Sequence, residues 1–453
     1  MSEPSNRRRR GAIVAVLVAL LAAPAAAQLP ATPGLPGIPG GLPEPGDLPL
    51  DPSLPSARDA TGDLGRVTDL RRLRVRELIR RNRDQIDVDG AGAPVVRGEV
   101  LAVAPGAESL ARAKAAGFTI LRETMVEGAE VRLVTLAIPR GLDARRAIKR
   151  LRKADPGGDY DYNHIYSGAG EIEAAAPSAC QSPPPYFAGR GGGGGRRIGL
   201  VDTGVDAGHP ALAGARIEQR GFAPGGVRPK AHGTAAASLL VGRAGPFIGA
   251  APGSALLVAD VYGGGPTGGS ADAIVRGMGW LASANVSVIN VSLVGPPNAA
   301  LRAVIASLAA RGVLIVAAVG NDGPAAPPLY PASYPEVIAV TGVDGRDRVL
   351  LEAGRASHLD FAAPGADMAA AGSGGGFVAV RGTSFASPIV AGRLAVLRSA
   401  PGPAGARAAV GALARQARDL GPAGPDRIYG RGLVGAEIRT SPRAAGARGG
   451  VLR

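Results

Sequence analysis

The sequence predicts an α/β protein, a doubly wound and mostly parallel sheet preceded by a small α+β unit. Three observations carry that reading. From Arg196 onward, short continuous apolar runs alternate with helix-length segments, the pattern of parallel strands covered on both faces by crossover helices. Residues 93–167 instead order their elements β-α-β-β-α-β, the ferredoxin-like arrangement. Stretches rich in proline and glycine precede and separate the two parts, and some of the chain's 69 glycines and 39 prolines collect there.

The N-terminus predicts an export signal over residues 1–27. Arg7–Arg10 supply the positive end, Gly11 to Ala23 a short apolar stretch, and Ala25-Ala26-Ala27 a small-residue cleavage site. The apolar stretch falls short of the roughly 20 residues of a spanning helix, so no stable membrane span is expected. The arginines fit either the Sec or the Tat route. Export places the mature chain in a periplasmic or extracellular compartment. Residues 28–67 form a linker, because proline favours extended backbone and blocks helix.

In the small unit, residues 68–83 read as a basic helical stretch and 95–104 as a strand. A helix follows over 108–116, closed by Gly117. Strands at 119–122 and 131–138 flank a turn at Glu127-Gly128. Next come a helix over 142–153 and a polar extended stretch over 159–166. Residues 168–195 are a second linker, with Pro183-Pro184-Pro185 and Gly191–Gly195. That glycine run precedes a strand, whereas a dinucleotide loop follows one, so it reads as linker. The single cysteine, Cys180, lies here, and one cysteine excludes an intramolecular disulfide framework and a cysteine metal site.

In the larger unit, residues 196–440, strands are expected at 198–202, 255–261, 286–293, 313–319 and 337–340. Helices are expected at 231–240, 271–284, 299–310 and from Thr383 to about 399. Reactive groups in such sheets gather at the C-terminal strand ends. Three segments put one there: Asp202 ends the first strand in Val201-Asp202-Thr203-Gly204, His232 opens a helix in Ala231-His232-Gly233-Thr234, and Ser384 opens another in Gly382-Thr383-Ser384-Phe385-Ala386-Ser387-Pro388. A serine hydroxyl is a weak nucleophile until an imidazole takes its proton. A carboxylate fixes the imidazole's tautomer and stabilises its cation. A helix start adds free N–H groups and a positive dipole end for a developing oxyanion.

These three segments, in the order Asp, His, Ser, resemble the active-site blocks of subtilisin-like serine proteases (peptidase S8, subtilases). Val319-Gly320-Asn321-Asp322-Gly323 resembles the family's oxyanion-hole segment, which implies that Asn321 donates to the tetrahedral intermediate. Asn290-Val291-Ser292-Leu293 resembles the strand that pairs with substrate, and Tyr330-Pro331-Ala332 the far wall of the first specificity pocket. Ser292, Leu293, Val294 and Tyr330 are therefore the expected substrate-binding residues. Residues 93–167 resemble the family's inhibitory prosegment, a folding chaperone, whose end lies in the cleft. The resemblance implies an exported serine endopeptidase acting on polypeptides, made as a self-processed precursor with its own prosegment as inhibitor.

Three departures modify these expectations. Ala235 stands where a second His is usual, and Val294 where Gly is common, which narrows the pocket edge. Ala211, in His209-Pro210-Ala211-Leu212, stands where an Asp calcium ligand is usual, so no required metal and no cofactor are expected. The remaining candidates have plain structural readings: His209 and Asp206 hold a loop, Ser387 packs a helix, and His164 and His358 lack a partner motif. Asp202, His232 and Ser384 could each, alone, be a capping or packed polar residue; their joint order favours chemistry.

The net charge of +14 raises nucleic-acid or surface binding as an alternative. Its distribution argues against that: residues 1–195 carry +4, residues 196–380 carry +1 and residues 381–453 carry +9. The surplus is thus mainly C-terminal, no aromatic residue interleaves with the basic tail at 441–453 to stack on bases, and no nucleic-acid partner is expected. A catalytically silent scaffold that keeps its prosegment in the cleft is the other alternative.

Overall fold

The computed structural model describes residues 73, 75–168, 195–372, 374–398 and 400–447. The expected export signal, the linker over 28–67, Cys180, most of the second linker and the end of the basic tail lie outside the described residues.

In the small unit, β1 (Ile86–Val88), β2 (Pro94–Val103), β3 (Thr119–Val126), β4 (Val131–Ala137) and β5 (Asp159–His164) form one antiparallel sheet. β2 lies between β4 and β5, β3 flanks β4, and β1 pairs with the start of β2. Helices α1 (Ala107–Ala115) and α2 (Ala144–Ala154) make the two crossovers. The Asp143 carboxylate caps α2 by accepting the Arg146 N–H at 2.8 Å. Side chains of β2 alternate between two apolar environments, as a period of two requires. Val100 and Ala102 pack with Leu110, Ile148 and Leu151 of the helices. Leu101 and Val103 join Val126 and Leu133 on the opposite face, against the large unit.

The large unit is built on seven strands, each pairing parallel with its neighbours, in the order β16-β15-β14-β12-β7-β11-β8. These are β7 (Arg197–Asp202), β8 (Arg216–Gly221), β11 (Ala255–Asp260), β12 (Val288–Val291), β14 (Leu314–Ala318), β15 (Val337–Val343) and β16 (Phe361–Pro364). Between them the chain adds the short pair β9 (Arg243–Ala244) and β10 (Phe247–Ile248), and β13 (Leu293–Val294). The hairpin β17 (Met368–Ala371) and β18 (Phe377–Val380) follows. One face is covered by α3 (Ala231–Val241) and α6 (Thr383–Val396), the other by α4 (Ala271–Ser283) and α5 (Ala299–Ala310); α7 (Pro403–Gln416) lies beyond α6. Again the strands alternate: Ile198 and Leu200 face the first pair, Val201 the second, and Leu256 and Val258 oppose Leu257 and Ala259. A doubly wound α/β fold is therefore present. From β7 the chain passes to the edge strand β8, returns to β11, and then crosses to β12 and on to β16, so the winding changes direction beside β7 and Asp202 sits at that switch point.

β8, the β17–β18 hairpin, β1 and α7 had no clear sequence signal. β8 (Arg-Ile-Glu-Gln-Arg-Gly) is a polar edge strand without an apolar run, and α7 is an Ala- and Gly-rich helix whose buried positions are only Ala406, Ala409 and Leu413.

The small unit's sheet rests on α4 and α5. The turn after β3 approaches α4 closely because both sides are small: a Cβ on Gly279 would lie 2.6 Å from Val126 Cγ1, and one on Gly128 2.7 Å from Ala282 Cβ. Polar groups of the small unit also cap the two helices. Asp161 Oδ2 accepts the Ala299 N–H of α5 at 2.7 Å, and Asn163 Oδ1 accepts the Asp272 N–H of α4 at 3.1 Å. Asp272, 2% exposed, in turn takes Arg122 at 2.6 Å and Arg276 at 2.9 Å.

Candidate active site

Asp202 is fully buried at the end of β7, and its Oδ1 accepts the Thr203 N–H at 2.7 Å. Both its oxygens lie 2.9 Å from His232 Nδ1. A carboxylate only accepts, so Nδ1 carries the proton and the lone pair of the neutral ring is at Nε2. Burial pushes the His232 pKa down, but the Asp202 charge and hydrogen bond outweigh it, and the net shift is upward.

Gly233 fixes where His232 stands. A Cβ there would meet the Thr203 carbonyl at 2.4 Å and Thr203 Oγ1 at 2.6 Å, while its own N–H donates to that Oγ1 at 3.0 Å. Helix α3 can approach the strand end only because this residue has no side chain.

Ser384 is fully buried in the first turn of α6, whose cap Gly382 has φ 140°, a conformation for glycine. The His232 ring lies 5.4 Å from that of Phe385, beside this helix start. His232 Nε2 and Ser384 Oγ are both buried without a hydrogen-bond partner. A buried unmet polar group costs about 1–3 kcal/mol, and such strain is a mark of reactive sites.

Pro388 lies deeper in α6 than a first-turn proline, and this explains a contact absent from the sequence reading. A proline has no N–H, so the carbonyl four residues earlier, that of Ser384, has no helical donor. It accepts the Ser292 hydroxyl instead, at 3.3 Å, and Ser292 Oγ is itself the acceptor for Asn290 Nδ2 at 2.7 Å. Ser292 thus braces the backbone of Ser384. Asn321 is tied to the same helix start: its Oδ1 accepts the Thr383 N–H at 3.0 Å, and Thr383 Oγ1 accepts the Gly320 N–H at 3.1 Å. With Oδ1 committed to the Thr383 N–H, the amide's orientation is set.

The remaining expected residues form an edge beside the serine, and the chain itself occupies that edge. Leu293 and Val294 pair antiparallel with β6 (Ser167–Gly168), Val294 opposite Ser167 and Leu293 opposite Gly168. One residue earlier, Tyr166 is 1% exposed. Its N–H donates to Gly269 O at 2.8 Å and its hydroxyl to Pro296 O at 2.7 Å. Tyr330 contributes backbone, exchanging two hydrogen bonds with Gly295 at 2.9 and 3.0 Å. Its ring packs tilted against that of Tyr334, with centroids 4.6 Å apart, and lines a cleft with Tyr162 and His164. Leu329, which sequence reasoning passed over, packs against Val294.

The other histidines divide differently from expectation. His209 is structural as read: Nδ1 accepts the Ala211 N–H at 3.0 Å and Nε2 meets Gly376 O at 3.0 Å. His164, in contrast, has partners, Asp89 Oδ2 at 3.2 Å and Asn298 Nδ2 at 3.1 Å, in the seam between the units. His358 pairs with Asp360 at 3.4 Å. No local motif could announce partners that distant or loop-borne. Ala211 offers no side-chain oxygen as a calcium ligand. Among the described residues no group of three His, Cys, Asp or Glu is arranged to hold a metal, and no helix is long and apolar enough to cross a membrane.

The profile of the Subtilase family (Peptidase_S8) matches residues 193–432. The chain is 34% identical over 217 residues to subtilisin of Bacillus pumilus, covering 45% of this chain and 76% of that protein. It is 32% identical over 254 residues to subtilisin Savinase of Lederbergia lenta, covering 54% and 90%. Against subtilisin E of Bacillus subtilis (strain 168) the share of that protein is 55%, at 33% identity over 45% of this chain. Among solved structures it resembles in fold fervidolysin from Fervidobacterium pennivorans, a keratinolytic enzyme related to subtilisin, with a TM-score of 0.61 and 20% identity over 78% of this chain and 62% of that one. The match runs through the strand ends and helix starts that carry Asp202, His232, Asn321 and Ser384, and it spans more than half of the sequence: the chain belongs to the subtilase family of serine endopeptidases.

Proposed function

We propose that this protein is an exported endopeptidase that cuts polypeptides through an acyl-enzyme on Ser384, and that residues 68–167 are its prosegment. His232 Nε2 takes the Ser384 proton as Oγ bonds to the substrate carbonyl carbon. Asp202 holds the imidazole and stabilises its cation. Asn321 Nδ2 and the Ser384 N–H bind the resulting oxyanion. Breaking the C–N bond returns the proton from His232 to the leaving amine, and water then repeats the sequence to release the acid. No metal is required in this scheme.

The observation that carries the reading is the pair of buried, unpartnered atoms, His232 Nε2 and Ser384 Oγ, beside a carboxylate-bound imidazole. A second supports self-processing: β6 adds a strand to β13 as an extended peptide does in β-augmentation. The register leads the chain past Gly168 toward Ser292 and Ser384, so the first cut is expected within a few residues after Gly168.

A fluorophosphonate probe tests the chemistry, and mass spectrometry of the mature N-terminus tests the processing. Labelling of Ser384, and a start within residues 169–172 that is lost in Ser384→Ala, are expected. An intact, unlabelled chain without peptide hydrolysis would establish the scaffold reading instead.

A further inference from the structure

Val294 and Ala318 form a small apolar cluster of their own with Leu329, separate from the two main cores. Three segments bring it together: β13, the end of β14 leading to Asn321, and the loop before Tyr330. The loop is pinned by the two hydrogen bonds between Tyr330 and Gly295. Gly320, at φ 95°, marks the floor. A Cβ there would lie 2.8 Å from Leu329 Cδ1 and 3.5 Å from Val294 Cγ1, so the Leu329 tip covers it and Val294 faces it from across the gap.

The position of this cluster gives it a role. Ser292, two residues before Val294, holds the Ser384 carbonyl. Asn321, next to Gly320, holds the Thr383 N–H. The cluster therefore fills the gap between the two segments that flank the nucleophile. A peptide paired with β13 as Ser167–Gly168 is paired puts its next residue opposite Ser292, and that side chain enters this gap. Its volume is already taken by two branched side chains, and space packed to interior density accepts extra methylenes only with strain.

We infer that Val294 and Leu329 close the primary specificity pocket to a shallow depression, restricting the enzyme to bonds that follow alanine or glycine. Long and aromatic residues before the cut are rejected sterically. The inference rests on the proteolytic reading above. It agrees with the sequence after Gly168, which continues Ala169-Gly170.

The test uses the matured enzyme and the substrates succinyl-Tyr-Ser-Gly-Xaa-p-nitroanilide, with Xaa as Gly, Ala, Leu and Phe. The expected kcat/KM for Ala exceeds that for Phe and Leu at least 100-fold. Leu329→Gly should raise the Phe-to-Ala ratio at least tenfold, and Leu329→Ala, a smaller cut in the same side chain, should raise it in the same direction. Equal cleavage after Ala and Phe by the unaltered enzyme, or a ratio unmoved in active Leu329 variants, overturns the inference while leaving the protease intact. No turnover of any substrate, with Ser384 unlabelled by a fluorophosphonate, overturns the proteolytic reading and this inference with it.

Discussion

Tyr166 is the anchor by which the small unit's last residues hold the cleft, and its removal has a calculable effect. The side chain is 1% exposed. A buried aromatic removes about 150–250 Å² from water, which at about 25 cal/mol per Å² is an upper figure of about 4–6 kcal/mol. Truncations of buried aromatics to alanine cost about 3–5 kcal/mol. Tyr166→Phe keeps the ring but strands the Pro296 carbonyl, bonded now at 2.7 Å, at about 1–3 kcal/mol. The chain carrying Ser384→Ala keeps the segment uncut, and hydrogen–deuterium exchange of the Tyr166 amide, which donates to Gly269 O, reports its opening. Protection should fall about 5- to 150-fold in Tyr166→Phe and about 150- to 5,000-fold in Tyr166→Ala. If alanine opened the segment no more than phenylalanine does, the ring would not be seated. If phenylalanine changed nothing, the hydroxyl bond would not be holding it.

Three further perturbations probe the site. Because the net shift of His232 is upward and its neutral form is the base, kcat/KM should fall with acidification around a midpoint above the ordinary imidazole value of about 6.5; Asp202→Asn should cost about 10⁴-fold in turnover and move that limb to lower pH, both read from a pH–rate profile. Asn321→Ala should lower kcat about 10²- to 10³-fold with little change in KM, a magnitude established for a member of this same family, and steady-state kinetics on one substrate decides it. Gly233→Ala must push its Cβ off the Thr203 carbonyl, 2.4 Å away; a stability loss of about 2–3 kcal/mol in urea unfolding of the Ser384→Ala chain is expected, and an unchanged midpoint would mean the helix has room that the geometry denies.

The candidate residues of this site were legible because each is announced by its own neighbours. Asp202 ends an apolar run, and His232 and Ser384 each open a helix beside a glycine that the close approach or the cap demands. Those are local relations, and a sequence carries them directly. The alternation of β7, β11 and β12 between two cores was legible for the same reason. What the sequence withheld depends on distant segments meeting. His164 finds Asp89 within its own unit and Asn298 across the seam, and neither partner is near it in the chain. The polar run Asp159-Tyr160-Asp161-Tyr162-Asn163-His164 hides its purpose, because alternate residues cap α4 and α5 of the other unit rather than face water.

Specificity is the clearest case of this divide, because it lives in the shape of a gap rather than in a reactive group. Val294 alone predicted only a narrower edge. The closure needs Leu329 as well, and Leu329 reaches the gap only because Tyr330 and Gly295 bond to each other while Gly320 leaves its floor bare. Each of those residues is unremarkable in its own segment. Ser292 follows the same logic: its hydroxyl goes to the Ser384 carbonyl because Pro388 cannot supply the helical donor. One missing N–H within α6 thus decides what a strand on the other side of the nucleophile does. A Pro388→Ala chain would restore a donor for that carbonyl and free the Ser292 hydroxyl. Ser292→Ala should accordingly cost stability in the native sequence, where it leaves the Ser384 carbonyl unmet, and cost less once Pro388 is alanine. A double-mutant cycle by urea unfolding in the Ser384→Ala background measures the coupling. It should be about 1 kcal/mol, the net worth of one buried neutral hydrogen bond; strict additivity would sever the proposed link between the helix proline and the substrate strand.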